Sequence, residues 1–192
     1  MASGAGAVSL HPVFGHTDLQ ASLSRALATG SLPPSLLIHG PRGVGKQRLA
    51  LWLGQLLLCP ESGPEGPCGE CKGCRMAVNL EHPDLHWYFP LAKPKGVRPA
   101  KLTEALEKAR YDTIAERKAR PLRPASAPAE PTGLYLAVAQ TLRSHANRRP
   151  AVGLRQVFVI GDAETLVPQE SSQEAANALL KLLEEPPTST LI

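Results

Sequence analysis

The chain has 192 residues, a net charge of +4 and four cysteines, enough for one domain with a real core. Aromatics make up 4% of it, too few for the stacking platforms of a single-strand binder. No apolar run is long enough to span a bilayer, and the opening "MASGAGAVSL" lacks the basic region and apolar core of a signal peptide. A cytoplasmic protein is the expectation, and its cysteines then point to metal or chemistry rather than disulfides.

In chain order, residues 1–12 are small and polar and read as a flexible arm. Thr17 and Gln20 have capping-box spacing, and Leu19, Leu23, Ala26 and Leu27 follow at helical intervals. Gly30 and Pro33-Pro34 end that helix. "SLLIHG" (35–40) predicts a short buried strand, running into the loop "GPRGVGKQ". A solidly apolar helix is predicted from Gln47 to Leu58. Residues 59–74 carry the cysteines, and "PDLHWYF" (83–89) predicts a second strand. Residues 90–133 change character: positions 91–130 hold ten Lys/Arg against five Asp/Glu. Within them, Leu102, Leu106, Ala109 and Ile114 predict an amphipathic helix, and a Pro-rich linker follows, with disorder expected around 121–133. The stretch reads as a basic insertion whose charge is a solvated face or a DNA contact. A helix over 134–147, a buried strand in "RQVFVIGDAE" and a strong helix in "SQEAANALLKLLEE" complete the chain. Thr188, Thr190 and Ile192 open a further β-branched run, so the chain reads as a fragment of something longer. Strands alternating with helices predict an α/β domain with a parallel sheet covered on both faces.

The glycine loop carries the first chemistry. Gly40, Gly45 and Lys46 fit G-x-x-x-x-G-K-[ST], between a predicted strand and a helix. Such a loop points backbone N–H groups at phosphate oxygens, and the helix behind it adds the positive end of its dipole. Gly40, Arg42, Gly43, Val44, Gly45, Lys46 and Gln47 are the candidate nucleotide-binding residues. Gln47, however, stands where a hydroxyl should hold Mg²⁺, and that ion demands near-ideal octahedral geometry. The acidic partner motif is also degenerate. If the strand ends at Ile160, Gly161 takes the metal position and Asp162 the base position; one residue later, they are Asp162 and Ala163. Neither register gives an Asp-Glu pair, and Glu164 is aimed elsewhere. No catalytic residue is assigned, and ATP hydrolysis is expected to be weak or absent. The cradle and Lys46 leave room for weak ATP binding with little Mg²⁺ dependence.

Cys59, Cys68, Cys71 and Cys74 give C-x8-C-x2-C-x2-C, interleaved with Gly and Pro. Four thiolates suit a structural, tetrahedral Zn²⁺ with no position open for water. Buried free cysteines and an iron–sulfur cluster are the alternatives, the latter at odds with ferredoxin spacing. His11, His16, His39, His82, His86 and His145 are scattered, and read as surface or loop residues.

The order of phosphate loop, four-cysteine module, degenerate acidic strand and "NALLKLLEEPP" resembles the bacterial clamp-loader subunits of DNA polymerase III. "HGPRGVGK", "PCGECKGC" and "AANALLKLLEEPP" are its most specific parts. The resemblance implies a P-loop AAA+ three-layer domain over 13–192, incomplete at its C-terminus. The zinc module at 59–74 would be inserted after the P-loop helix, and the basic insertion would lie at 90–133. Decayed motifs at Gln47, Gly161 and Asp162 favour the delta-prime (stator) type over the gamma/tau motor. "VFGH" (13–16) looks like the segment near the adenine. Implied partners are the gamma/tau and delta subunits and, through the complex, the sliding clamp and primed DNA, with no membrane. Three other readings stay open. They are an active gamma/tau-type ATPase, a zinc-ribbon DNA-binding module with a vestigial P-loop, and an unrelated P-loop kinase or transferase.

Overall fold

The computed structural model describes residues 13–120, 131–166 and 174–192. Its centre is a three-stranded parallel sheet in the order β1 (Leu85–Tyr88), β4 (Gln156–Ile160), β5 (Thr190–Leu191). Leu85 pairs with Val157, His86 with Phe158 and Tyr88 with Ile160, while Gln156 and Val157 pair with Thr190 and Leu191. The middle strand reads as an apolar run because both its faces are covered. On one face Leu85 and Val157 meet α2 (Lys46–Leu58) at Gly54. A Cβ there would lie 2.6 Å from Leu85 Cδ1, so glycine permits the approach. On the other face His86 stacks on Phe158 at 4.6 Å and lies 5.3 Å from His145 of α5 (Leu136–Ala146).

Helix α1 (Thr17–Ala28) lies against α2, α3 (Lys72–Val78) returns along α2, and α6 (Glu174–Glu184) packs on α5. The apolar stripe of α6 is Ala175, Leu179 and Leu182, all buried, at the spacing a 3.6-residue period requires. A two-stranded antiparallel ribbon joins β2 (Leu91–Ala92) to β3 (Thr132–Gly133). Between them in sequence runs α4 (Leu102–Ala119). Its buried residues, Leu106, Arg110 and Ile114, fall one turn apart on one face. This face lies along the open edge of β1, where Arg110 Nη1 donates to the Trp87 carbonyl at 3.4 Å. A helix whose side chain bonds a free carbonyl of the edge strand blunts a template for unwanted pairing.

Four expectations are corrected. Residues 35–40 form no strand among the described residues, and Leu37 is 83% exposed. Their ladder is confined to one end, where Leu36 N donates to Ile192 O and Ile192 N to Pro34 O. Beyond Leu36, no strand among the described residues is paired with this segment. Thr17 is not a cap either. His16 is the N-cap in the left-handed region, without a side-chain capping bond, and its carbonyl accepts from Gln20 N. Of the segment expected to be disordered, Thr132 and Gly133 are in β3, held by β2; 121–130 lie outside the described residues, as does the arm at 1–12. Finally, His86 in β1 and His145 in α5 are half-buried rather than surface or loop residues, whereas His82 lies in a loop, though a buried one.

Candidate phosphate loop and metal centre

The loop 40–45 leads directly into α2. Gly43 and Gly45 both have φ of 87°, the left-handed region that a side chain disfavours. Gly45 is itself the N-cap of α2 and no side chain caps the helix. The unpaired N–H groups of its first turn are therefore presented to the loop. Lys46 Nζ donates to the Gly40 and Pro41 carbonyls, each at 2.9 Å, folding the ammonium back across the loop. His16 Nε2 is 2.9 Å from the Val44 carbonyl, tying the start of α1 to the loop. Arg42 and Val44 stand exposed on it.

The acidic strand takes the first of the two registers. β4 ends at Ile160, and Gly161 N donates to Tyr88 O, continuing the ladder by one bond. Asp162 then turns into the left-handed region at φ 50°. Gln47 reaches across from α2, and its Nε2 donates to Asp162 Oδ2 at 3.2 Å. The amide lies over Gly161 so closely that a Cβ there would be 2.6 to 2.7 Å from its Cδ, Nε2 and Oε1. The two departures from a magnesium-binding pattern thus meet in space. Glu164 is exposed in the short 3-10 turn Ala163–Leu166 and joins neither. Beside the loop opens a cleft of about 660 Å³, apolar at Leu36, Ile38, Leu53 and Leu179 and polar where Lys46 and Asp162 reach it.

One inward-facing cation escapes sequence reasoning. Arg117 of α4 lies over the Phe89 ring at 3.8 Å and the Trp87 ring at 4.7 Å. Burial lowers its pKa, and attraction to Asp162 and Glu116 opposes that shift. The helical spacing of Arg117 from Leu106, Arg110 and Ile114 is the one local sign that this cation faces inward.

The cysteines converge. Cys59 ends α2, Cys71 caps α3 and accepts from Cys74 N, and Gly63 and Gly66 exchange two backbone bonds in the turn between. All four sulfurs lie within 4.8 Å of one another. Cys59 and Cys68 are 3.5 Å apart, Cys68 and Cys74 3.9 Å, Cys71 and Cys59 3.9 Å. A tetrahedron of sulfurs about 2.3 Å from a zinc ion has edges of about 3.8 Å, so the donor set fits a metal ion of that size. Cys68 N and Cys71 N each donate to the preceding ligand sulfur at 3.4 Å, a bond that favours thiolate. Burial pushes the Cys74 thiol up to about 12 and raises that of Cys59, while backbone N–H groups of Cys71 and Glu70 lower that of Cys68. Four thiolates this close need a cation between them.

A buried carboxylate anchors the back of the sheet. Asp84, 1% exposed, accepts from Ala151 N at 2.5 Å, Gly153 N at 2.7 Å and Val152 N at 2.9 Å. Burial acts to raise its pKa, but these three bonds and the neighbouring His82 outweigh it, and the net shift is downward.

Comparison with known proteins agrees with this assembly of parts. The family model described as DNA polymerase III, delta subunit, matches residues 15–192. The chain is similar to the DNA polymerase III delta' subunit of Pseudomonas aeruginosa, 29% identical over 156 residues, covering 81% of this chain and 35% of that one. Against the delta' subunit of Escherichia coli K12 it is 31% identical over 156 residues, 81% of this chain and 34% of that one. The tau/gamma subunit of Haemophilus influenzae is 26% identical over 175 residues, 91% of this chain and 19% of its own length. The chain spans about a third of the length of the delta' relatives it matches. No helix among the described residues is long and apolar enough to cross a membrane.

Proposed function

The chain belongs to the DNA polymerase III delta-subunit family, and from that premise we propose that it is an AAA+ part of a delta-prime-type stator in a clamp loader. The match over 15–192 carries this reading. On it, the protein assembles in the cytoplasm with gamma/tau and delta subunits and helps place a sliding clamp on primed DNA. It acts through its surfaces rather than by firing ATP. The four cysteines hold one structural Zn²⁺ that pins the turn between α2 and α3. Lys46, the loop 40–45 and the first turn of α2 bind a nucleotide weakly and without a magnesium requirement. The gamma/tau reading draws on the 26% relatives, but a motor must place magnesium where Gln47 and Asp162 hold each other.

The test is reconstitution. The full-length protein is mixed with a tau/gamma subunit and the delta subunit, and ATP turnover of the assembly is compared with and without it. A stator should co-purify with the motor and raise turnover several-fold while turning over none itself. Equal turnover without it would overturn the reading.

A further inference from the structure

Between Asp84 and Glu104 the sequence holds no carboxylate and four cations, Lys93, Lys95, Arg98 and Lys101. All four lie in the loop that joins β2 to α4, and all four are exposed. The loop is rooted at both ends. The ribbon of β2 and β3 fixes its start, with Leu91 paired to Gly133 and Ala92 to Thr132. The 3-10 turn Pro99–Lys101 leads straight into α4. Pro94 and Pro99 restrict the backbone between, Gly96 turns it at φ 69°, and Lys101 N donates to Arg98 O at 2.8 Å. Like charges are thus held close together, and an anion would relieve their repulsion. Among the described residues no carboxylate forms a salt bridge with Lys93, Arg98 or Lys101. Two cations of α4 differ in this respect: Arg110 is paired with Glu107 and Lys118 with Glu81.

What the loop lacks defines its partner. Val97, its one large apolar residue, is half-buried. The loop therefore offers no anchor of the kind that carries a protein–protein interface or enters a lipid surface. It has no aromatic side chain to stack on an unpaired base. Clustered cations without apolar anchors or rings match the phosphate backbone of a duplex, which carries one negative charge per about 1.7 Å of helix axis. Such contacts position a duplex without reading its sequence.

We propose that loop 93–101 is a binding site for the phosphate backbone of duplex nucleic acid. Lys93, Arg98 and Lys101 contact phosphates, and Lys95 adds to the local potential. β3, at the root of the loop, lies against the turn Ala163–Leu166 that follows Asp162, so the site shares the carboxyl end of the sheet with the candidate phosphate loop. The proposal goes beyond the stator reading, in which only the assembly need meet DNA, and depends on neither nucleotide nor zinc.

The test is fluorescence anisotropy of a labelled DNA duplex of mixed sequence, titrated with the full-length protein at several salt concentrations. The triple variant Lys93→Gln, Arg98→Gln, Lys101→Gln should lower the slope of log K against log salt by about 2–3, since each lost phosphate contact removes about 0.9. Its binding at low salt should be about tenfold weaker or more. Removing as many exposed charges elsewhere, by Arg148→Gln, Arg149→Gln and Arg155→Gln, should leave slope and affinity close to wild type. A duplex of different sequence should bind equally well. A slope unchanged in the first variant, or lowered as much by the second, overturns the proposal. So does binding of polyglutamate or phosphatidylserine vesicles that is tighter than that of duplex and lost with the same three cations. Circular dichroism checks that the variants fold; should the first one unfold, Arg98→Gln alone decides, with a slope lower by about one.

Discussion

Gln47 fits where it does because residue 161 has no Cβ. The pair is therefore a single local arrangement, and on the proposed reading changing one half alone should not create a magnesium site. Gln47→Thr returns the hydroxyl but leaves Gly161 without a carboxylate, so steady-state ATP turnover should stay indistinguishable from that of Lys46→Ala; turnover that Lys46→Ala abolishes would contradict this. Buried titratable side chains set a second residue-scale expectation. Burial, with the neighbouring His145, holds His86 down to about 4, whereas an unfolded imidazole takes its proton near 6.5. Above 6.5 neither state is protonated and the contribution of His86 to stability is complete. As pH falls from about 6.5 to about 4 the unfolded state gains a proton that the folded state refuses, and stability drops. At about 1.4 kcal/mol per pH unit the ceiling for this one group is about 3 kcal/mol. Asp84 acts in a lower window: its depressed pKa gives stability that is present above about 3.9 and lost as pH falls through the folded value. Urea titrations at several pH values should show both slopes. His86→Phe, which keeps the stack on Phe158, should make the upper one shallower, leaving the part that burial of His82 and His145 supplies, and leave the lower unchanged.

At the scale of elements, the four-cysteine module has little apolar core of its own. Cys68 is exposed and Cys71 only half-buried, and the turn from Cys59 to Cys71 is tied by two backbone bonds between Gly63 and Gly66. On the proposed reading, a bound metal ion would supply much of its order, as in other small metal-held modules. Elemental analysis should find one zinc per chain, and Cys71→Ser or chelation should expose 59–74 to protease while the circular dichroism of the sheet and helices persists. Iron, or no metal in reduced protein, would contradict the assignment. The four-cysteine spacing was legible because its ligands are close in sequence, and α6 was legible because its stripe repeats every turn. The predicted strand at 35–40 was not: its apolar letters are real, but strand formation depends on a partner along its whole length. The capping box failed on an equally local detail, the left-handed conformation of His16. Helix α4 was legible as an amphipath. That its inward face also carries Arg110, bonded to Glu107 at 2.6 Å, and Arg117 was not, since cations at helical spacing ordinarily mark a solvated face. The Gln47–Asp162 contact spans 115 residues, and nothing local in the sequence encodes it.

The whole molecule is unevenly secured, and that unevenness falls across the site. β4 has a paired strand on each side and helices over both faces, with Gln156 to Val159 buried. Phe158 within it and Leu56, Leu106, Leu142 and Tyr88 around it are all at most 1% exposed, each such side chain contributing about 1.5–3 kcal/mol by its removal from water. Among the described residues, the segment leading into the candidate phosphate loop has no comparable support. Leu36 and Ile192 fasten one end of it, Leu37 is 83% exposed, and the loop beyond is held through Lys46, His16 and Gln47. Amide exchange through local opening should follow this gradient. Peptides covering 85–88, 156–160 and the interior of α2 should exchange only on global unfolding, at about 5–15 kcal/mol. Those covering 37–45 should open at about 0–2 kcal/mol. Mass-spectrometric hydrogen exchange under native conditions reads both sets in one experiment. Protection of 37–45 equal to that of β4 would mean that the loop belongs to the same cooperative unit as the sheet. The expected gradient would mean that a phosphate, or a neighbouring subunit, can reshape the loop without disturbing the core that carries it.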